Sequence, residues 1–303
     1  MKTQNIFLAL LASALVFSSC SKEDSSKSPE GRTPVRFTSG ISGVVTRAFD
    51  NQWEANDQIG IFMIENGEAL AAGTIVEEVD NYSYVTTSSG TGPQTFTPSV
   101  TSEAAFFPTT GTVDFIAYYP YTTPLTGYSY PVNVTTQTSQ KAIDLLWSNN
   151  ATAQSESSGT VALTFQHKLS KMVFTLVPGT GVEADDLTNV TVTIKGMNRQ
   201  APFDLAVGTL GASTDPGDII ALTSGTNSEA IILPAAGTTG YTVEFALNNP
   251  EQDVFTWTIV DNTAAFVAGS KYTYNVTINR TGMTITGEIT NWTEVGPTDV
   301  EAN

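Results

Sequence analysis

The chain has 303 residues, of which only 14% are charged, with a net charge of -17 and a single cysteine. That length favours about two domains of roughly 150 residues, each able to bury a core of its own. The acidic balance argues against nucleic acid and anionic lipid as partners, and the lone cysteine excludes a disulfide within the chain.

Residues 1–19 read as a targeting segment. Lys2 precedes an apolar run, Ile6 to Phe17, that is too short to span a bilayer, and Cys20 falls where such a leader is cut. Residues 20–33 are polar and Ser-rich and read as a flexible tether. Beyond them Thr, Val, Ile, Gly and aromatic residues are plentiful and no long amphipathic helical run stands out, so the fold class is all-β.

The first domain is placed at residues 34–154. It opens with an apolar, β-branched run, Ile41, Val44, Val45 and Thr46, which ends at Arg47-Ala48. A second strand is predicted at residues 58–64, with Ile59, Ile61 and Met63 on one face. It runs into Glu65-Asn66-Gly67, where Asn-Gly supplies the positive φ of a tight turn. The only arginines are Arg32, Arg36, Arg47, Arg199 and Arg280, so an Arg-specific protease finds no target from Ala48 to Asn198.

Residues 82–87 alternate weakly, and 104–107 form a short apolar piece. Residues 112–121 make the strongest strand, apolar on much of both faces and stopped by Pro120 and Pro124. After the apolar piece at 143–147, residues 149–159 read as a polar linker without core residues, which sets the domain boundary between about 150 and 160. The second domain, 155–303, opens with residues 160–177, either two strands or one strand bulged at 166–170. Further strands are predicted at 188–195, 218–222, 229–233, 241–247, 254–260, 272–279 and 283–289. Their spacing indicates an antiparallel sandwich.

Candidate chemistry is sparse. His167 has no second histidine for a zinc site, and no Gly-x-Ser-x-Gly motif supplies a nucleophile, so a strand-end histidine bonded to a turn is expected. Asp50, Asn51, Glu54, Asn56 and Asp57 lack the spacing and glycine of an EF-hand loop. No cofactor, metal or enzymatic activity is expected. Tyr118, Tyr119, Tyr121, Tyr128 and Tyr130 could stack on sugar rings, with core and loop packing as the competing use.

Several stretches together resemble the fimbrillin family, the pilus subunits of Bacteroidales. They begin with Val16-Phe17-Ser18-Ser19-Cys20, which is similar to a bacterial lipobox, and Ser21-Lys22-Glu23-Asp24, which looks like an acidic export signal to the outer face of the outer membrane. Next come Thr46-Arg47-Ala48 followed by Trp53 and Asp57-Gln58-Ile59-Gly60-Ile61, and the segment Ile143-Asp144-Leu145-Leu146-Trp147. Leu163-Thr164-Phe165-Gln166-His167-Lys168-Leu169-Ser170-Lys171 is the most specific piece, and the stretch from Gly269 to Trp292 completes the series.

The resemblance implies two tandem transthyretin-like antiparallel β-sandwich domains. It implies acylation of Cys20, with the precursor held by its lipid at the outer membrane. Cleavage between Arg47 and Ala48 by an Arg-specific protease would follow, then assembly with other pilus subunits by donor-strand exchange into a cell-surface fimbrium that serves adhesion. On this view residues 34–47, with Ile41, Val44 and Val45 as apolar anchors, form a removable plug strand. A host protein or glycan would be the receptor; a glycan-binding surface lipoprotein and an accessory tip adhesin are the alternatives.

Overall fold

The computed structural model describes residues 31–42, 51–237, 240–251, 253–259, 266–291 and 299–301. The leader, Cys20, Val44, Val45, Arg47 and Ala48 lie outside them. The all-β expectation holds.

In chain order the first strands are β1 (Arg36–Ile41), β2 (Gln58–Glu65), β3 (Tyr82–Thr86), β4 (Gln94–Pro98), β5 (Val113–Tyr119), β6 (Ser129–Asn133), β7 (Leu146–Gln154) and β8 (Thr160–His167), with a single helical turn α1 (Gln140–Ile143) before β7. All of these strands except β6 close into a barrel in the order β1-β4-β3-β2-β5-β7-β8. The inward positions hold one apolar cluster that includes Phe37, Trp53, Ile59, Ile61, Phe115 and Phe165. In β8 the alternation is complete, with Val161, Leu163 and Phe165 buried between exposed neighbours.

The remaining strands are β9 (Ser170–Pro178), β10 (Thr191–Asp204), β11 (Thr209–Leu210), β12 (Thr214–Ile220), β13 (Leu222–Ser224), β14 (Asn227–Ile232), β15 (Thr242–Ala246), β16 (Val254–Thr258), β17 (Ser270–Asn279), β18 (Gly282–Asn291) and β19 (Asp299–Glu301). One sheet runs β11-β10-β15-β16, with β12 and β6 also paired to β10; the other runs β13-β14-β9-β17-β18-β19. Their apolar faces share one core. Phe174 of β9 stacks on Tyr274 of β17 at 5.5 Å and meets Phe245 of β15 edge-on at 5.7 Å.

Three expectations are corrected. Residues 149–154, read as linker, belong to barrel strand β7. The inward residue there is the small Ala151, the flanking Asn149 and Asn150 face solvent, and bulges against β5 break the period-two pattern that would have marked a strand. Strand β8, expected to open the second domain, is a stave of the first barrel, while β6 pairs with β10 in the second unit, so no cut near residue 155 separates the two. The chain changes unit between β8 and β9, at Lys168-Leu169, which settles the choice at 160–177 in favour of two strands. Finally, β1 with β8 and β9 with β17 pair in parallel, within a fold expected to be antiparallel.

The two cores share a wall. Ile61 and Met63 of β2 and Phe115 and Ala117 of β5 face into the barrel, while Phe62, Ile64, Ile116 and Tyr118 on the same strands face the other cluster. This is the both-faces burial expected of residues 112–121. Trp147 fastens the units further, its indole N–H donating to Leu205 O at 2.9 Å and its ring lying under Lys168 Nζ at 4.4 Å. Gly208 is required beneath that ring: its φ is +72°, and a Cβ there would lie 2.6 Å from the indole.

Asp114 ties the end of β2 to β5. Its carboxylate accepts hydrogen bonds from Asn66 Nδ2 (2.6 Å), Gly67 N–H (2.9 Å) and Ala153 N–H (2.7 Å). Burial pushes the carboxyl pKa up, but these donors outweigh it and hold the group below the usual carboxylate range. Asp114→Asn should therefore cost about 1.5–3 kcal/mol at neutral pH. Because the folded pKa is depressed, that stabilisation is present above about pH 4, the ordinary carboxylate pKa, and is lost as pH falls through the lower folded value. Denaturant titrations across this range should show a shallower acid loss in the variant, and equal slopes would refute the assignment.

Candidate functional site: the seam closed by the first strand

The barrel closes through β1, which lies between β4 and β8. On one flank Phe37, Thr38 and Ser39 pair antiparallel with Phe96, Thr95 and Gln94; on the other, Arg36 to Ile41 run parallel to Thr160 to Phe165. The pairing extends past both ends of the strand. Phe107 N–H donates to Thr33 O (3.0 Å), Val35 N–H to Ala105 O (2.8 Å) and Ser42 N–H to Phe165 O (2.8 Å). Without β1, the edges of β4 and β8 that face it would present unpaired backbone groups to one another.

Period-two geometry puts Val35, Phe37, Ser39 and Ile41 on the inner side. Phe37 is fully buried, edge-on to Tyr84 at 4.9 Å and to Phe115 at 5.1 Å. Val35 is buried and Ile41 half-buried against the same core. At about 1.5–3 kcal/mol for each fully buried side chain, the strand's apolar contribution is about 4–7 kcal/mol. That is comparable to the whole stability of a small domain, about 5–15 kcal/mol.

Ser39 is the weak point of the strand. Its side chain is buried and, among the described protein groups, its Oγ has no hydrogen-bond partner. Trp53 takes the backbone instead, its indole N–H donating to Ser39 O at 3.1 Å while the ring packs edge-on against Phe96, Tyr119 and Phe165. A buried hydroxyl without a partner costs about 1–3 kcal/mol, so β1 fills the barrel tightly but imperfectly.

At the Ile41 end the seam opens on a cavity of about 100 Å³ whose wall includes Ile41, Trp53, Asp57, Tyr119 and Lys141. Asp57 is the hub of a charged cluster. It accepts from Lys141 Nζ at 2.7 Å, from Tyr119 OH at 3.2 Å and from Glu54 N–H at 2.7 Å, and Lys141 also reaches Glu54 at 2.8 Å. Burial would lower the Lys141 pKa, but Asp57 and Glu54 outweigh it and raise it; burial and then the Asp57 charge raise that of Tyr119. His167, buried at the end of β8, places Nδ1 2.9 Å from Asp144 Oδ1 and Nε2 3.2 Å from Asn51 Oδ1. It is the strand-end histidine expected, although its partners here are side chains.

Ser42, bonded to Phe165, and Asn51, beside His167 two residues along the same strand, flank residues 43–50. Arg47 and Ala48 belong to that connection and lie, with Val44 and Val45, outside the described residues. Of the apolar residues expected in the first strand, Ile41 is half-buried against the barrel core, while the buried Val35 and Phe37 were missed. The alternation Val35, Phe37, Ser39, Ile41 is legible in the sequence, but the β-branched run Val44, Val45 and Thr46 that follows it is the stronger strand signal. Tyr118 and Tyr119 are core residues, whereas Tyr121, Tyr128 and Tyr130 are half-buried.

Among the described residues no cluster of His, Cys, Asp or Glu is arranged to hold a metal ion. The comparisons with known proteins point one way. Residues 46–292 match the family described as Fimbrillin-like. A candidate fimbrium subunit, Fim1C of Bacteroides uniformis, is 36% identical over 304 residues, covering 97% of this chain and 96% of its own. The crystal structure of a candidate cell adhesion protein from Bacteroides uniformis superposes with a TM-score of 0.77 at 31% identity, over 88% of this chain and 100% of that one. A second such protein, from Bacteroides ovatus, shares the fold with a TM-score of 0.69 at 21% identity, over 88% and 99% of the two chains.

Two substitutions in β1 test this energetic account by chemical denaturation. Phe37→Ala should destabilise the protein by about 3–5 kcal/mol, as expected for an emptied aromatic site. Ser39→Ala removes the unpaired hydroxyl and should leave stability unchanged or raise it by about 1 kcal/mol. A loss at Ser39 as large as that at Phe37 would show that the hydroxyl is needed where it lies.

Proposed function

Because this chain belongs to the fimbrillin-like family, we propose that it is a structural subunit of a cell-surface fimbrium whose assembly is controlled by β1. The precursor is exported as a lipoprotein acylated on Cys20 and held at the outer membrane through residues 20–33. An Arg-specific protease cuts between Arg47 and Ala48, and the strand that closed the barrel becomes a separate peptide. A strand from a neighbouring subunit then replaces it. The role is structural and adhesive, not catalytic.

The observation that supports this reading most is the position of β1. The one stave contributed from the N-terminal side of Arg47 lies in the middle of a sheet, paired on both flanks and carrying a buried phenylalanine. Its loss leaves two facing strand edges and an apolar slot, a template for β-strand addition. Cleavage in residues 43–50 breaks none of the hydrogen bonds of β1, so the cut protein remains plugged until a competing strand invades. The unpaired hydroxyl of Ser39 favours the invader, since a donor with an apolar or small residue at that position avoids its cost.

The chain's other arginines in the described residues are poorer targets for a protease that needs an extended substrate. Arg32 is half-buried ahead of β1 and paired with Glu77, Arg36 is within β1, Arg199 is within β10 and paired with Asp215, and Arg280 is in the β17–β18 turn. The test uses the full chain with Cys20→Ser. After treatment with an Arg-specific protease it should elute first as a cut monomer that retains the β1 peptide. On longer incubation it should give a ladder of multimers in gels run without boiling. Arg47→Ala should stay monomeric, and Ser39→Ala should slow the ladder. Clean monomer from the cut parent protein would sink the proposal.

A further inference from the structure

Beside the shared wall, two loops are locked together and set the Asp80 carboxylate at the edge of a cleft between them. In the first loop Val79 is buried, its N–H bonded to Val76 O at 3.1 Å and its carbonyl to Met63 N–H at 3.0 Å. Two residues on, Asn81 accepts from Tyr118 OH at 2.7 Å and donates to Thr122 O at 3.0 Å. Asp80, between these fixed points, is exposed.

The second loop joins β5 to β6 and brings Thr123, Pro124, Leu125 and Tyr128 opposite it. The Tyr128 ring sits edge-on to Phe62 at 5.6 Å, and its hydroxyl lies 3.5 Å from Asp80 Oδ2. Burial first, then the Asp80 charge, raises the phenol pKa and keeps it a donor. The loops border an open cleft of about 450 Å³, and a second open cleft of about 340 Å³ shares Pro124 with it. Both volumes fall in the range of small-molecule sites, about 300–1,000 Å³.

The backbone here is costly. Glu77, Glu78 and Asn81 in one loop and Tyr128 in the other all hold φ between 54° and 61°, a left-handed conformation that non-glycine residues seldom adopt. Such residues cost about 1–3 kcal/mol each and gather where a binding geometry is preset. Locking through Asn81, Tyr118 and Thr122 means little is left to order when a ligand arrives.

The chemistry of the lining selects the ligand. One carboxylate can accept from two neighbouring hydroxyls, a half-exposed aromatic ring offers an apolar surface for C–H groups, and Thr123 adds a hydroxyl. Among the described residues no basic side chain lines the cleft, and the net charge of -17 repels anions. We infer that this cleft is a binding site for neutral oligosaccharides, with Asp80 accepting from adjacent sugar hydroxyls, Tyr128 packing against a sugar ring, and further rings running past Pro124 into the second cleft.

The site lies outside the seam and does not depend on assembly, so it is tested on the full chain carrying Cys20→Ser and Arg47→Ala. Calorimetry is run against a neutral mannan, arabinogalactan and xylan, a sialylated oligosaccharide, and an alkyltrimethylammonium salt as a cationic probe. Saturable heat is expected from at least one neutral glycan and from neither charged probe. Asp80→Asn should weaken it about tenfold or more, the effect of losing a charge-assisted hydrogen bond. Tyr128→Asn, which tolerates the left-handed backbone, should weaken it similarly while leaving the melting transition cooperative. Absence of heat from every neutral glycan, binding unchanged in both variants, or binding of the ammonium probe in their place would overturn the inference.

Discussion

The structure depends on a strand that is covalently marginal and energetically central. β1 enters from a polar N-terminal segment and ends just ahead of residues 43–50, yet it closes the barrel through ladders on both sides and fills its core with Phe37. These two properties separate covalent cutting from physical release. The cleavage proposed above would remove the chain connection but leave the ladders and the buried rings, so departure of β1 would then be set by competition for the groove. Buried Ser39, whose hydroxyl has no hydrogen-bond partner among the described residues, is the one polar side chain that β1 turns into the barrel.

The surroundings of the seam are built to hold its end still. Trp53 joins the Ser39 carbonyl to three aromatic rings of the barrel, and just beyond it Asp57 gathers Lys141, Tyr119 and the Glu54 amide. A buried carboxylate with this many donors is satisfied, which is what allows charge to sit at the mouth of an apolar barrel.

The two units behave as one mechanical body because β2 and β5 belong to both cores. Strands apolar on both faces cannot tolerate separation of the units, since each would then expose Phe62, Ile64, Ile116 and Tyr118 to water. Trp147 over Gly208 adds a contact that only glycine permits. For a subunit that transmits force along a polymer, a shared apolar wall is a stiffer joint than a linker.

Much of this was written in the sequence, because period-two burial leaves a direct trace. The all-β class, β5 with its double-sided apolarity, the alternating β8 and most strands of the second unit could be read from side-chain pattern, and so could the solitary Arg47 between apolar runs. Which residues plug the barrel was only partly legible: Val35 and Phe37 look like any alternating pair until β4 and β8 are seen on either side. The domain boundary was not legible at all. Past Ser148, β7 shows the core only Ala151 and is interrupted by bulges, so its polar outer face reads as linker, and the sheet to which β6 or β8 belongs is decided by long-range pairing that no local pattern encodes. The sequence by itself determined that strands form and which of their faces are apolar, since both follow from local periodicity and solvation; only the tertiary structure decided which strand closes which sheet, because hydrogen bonds between distant segments are indifferent to the side chains that bring them together.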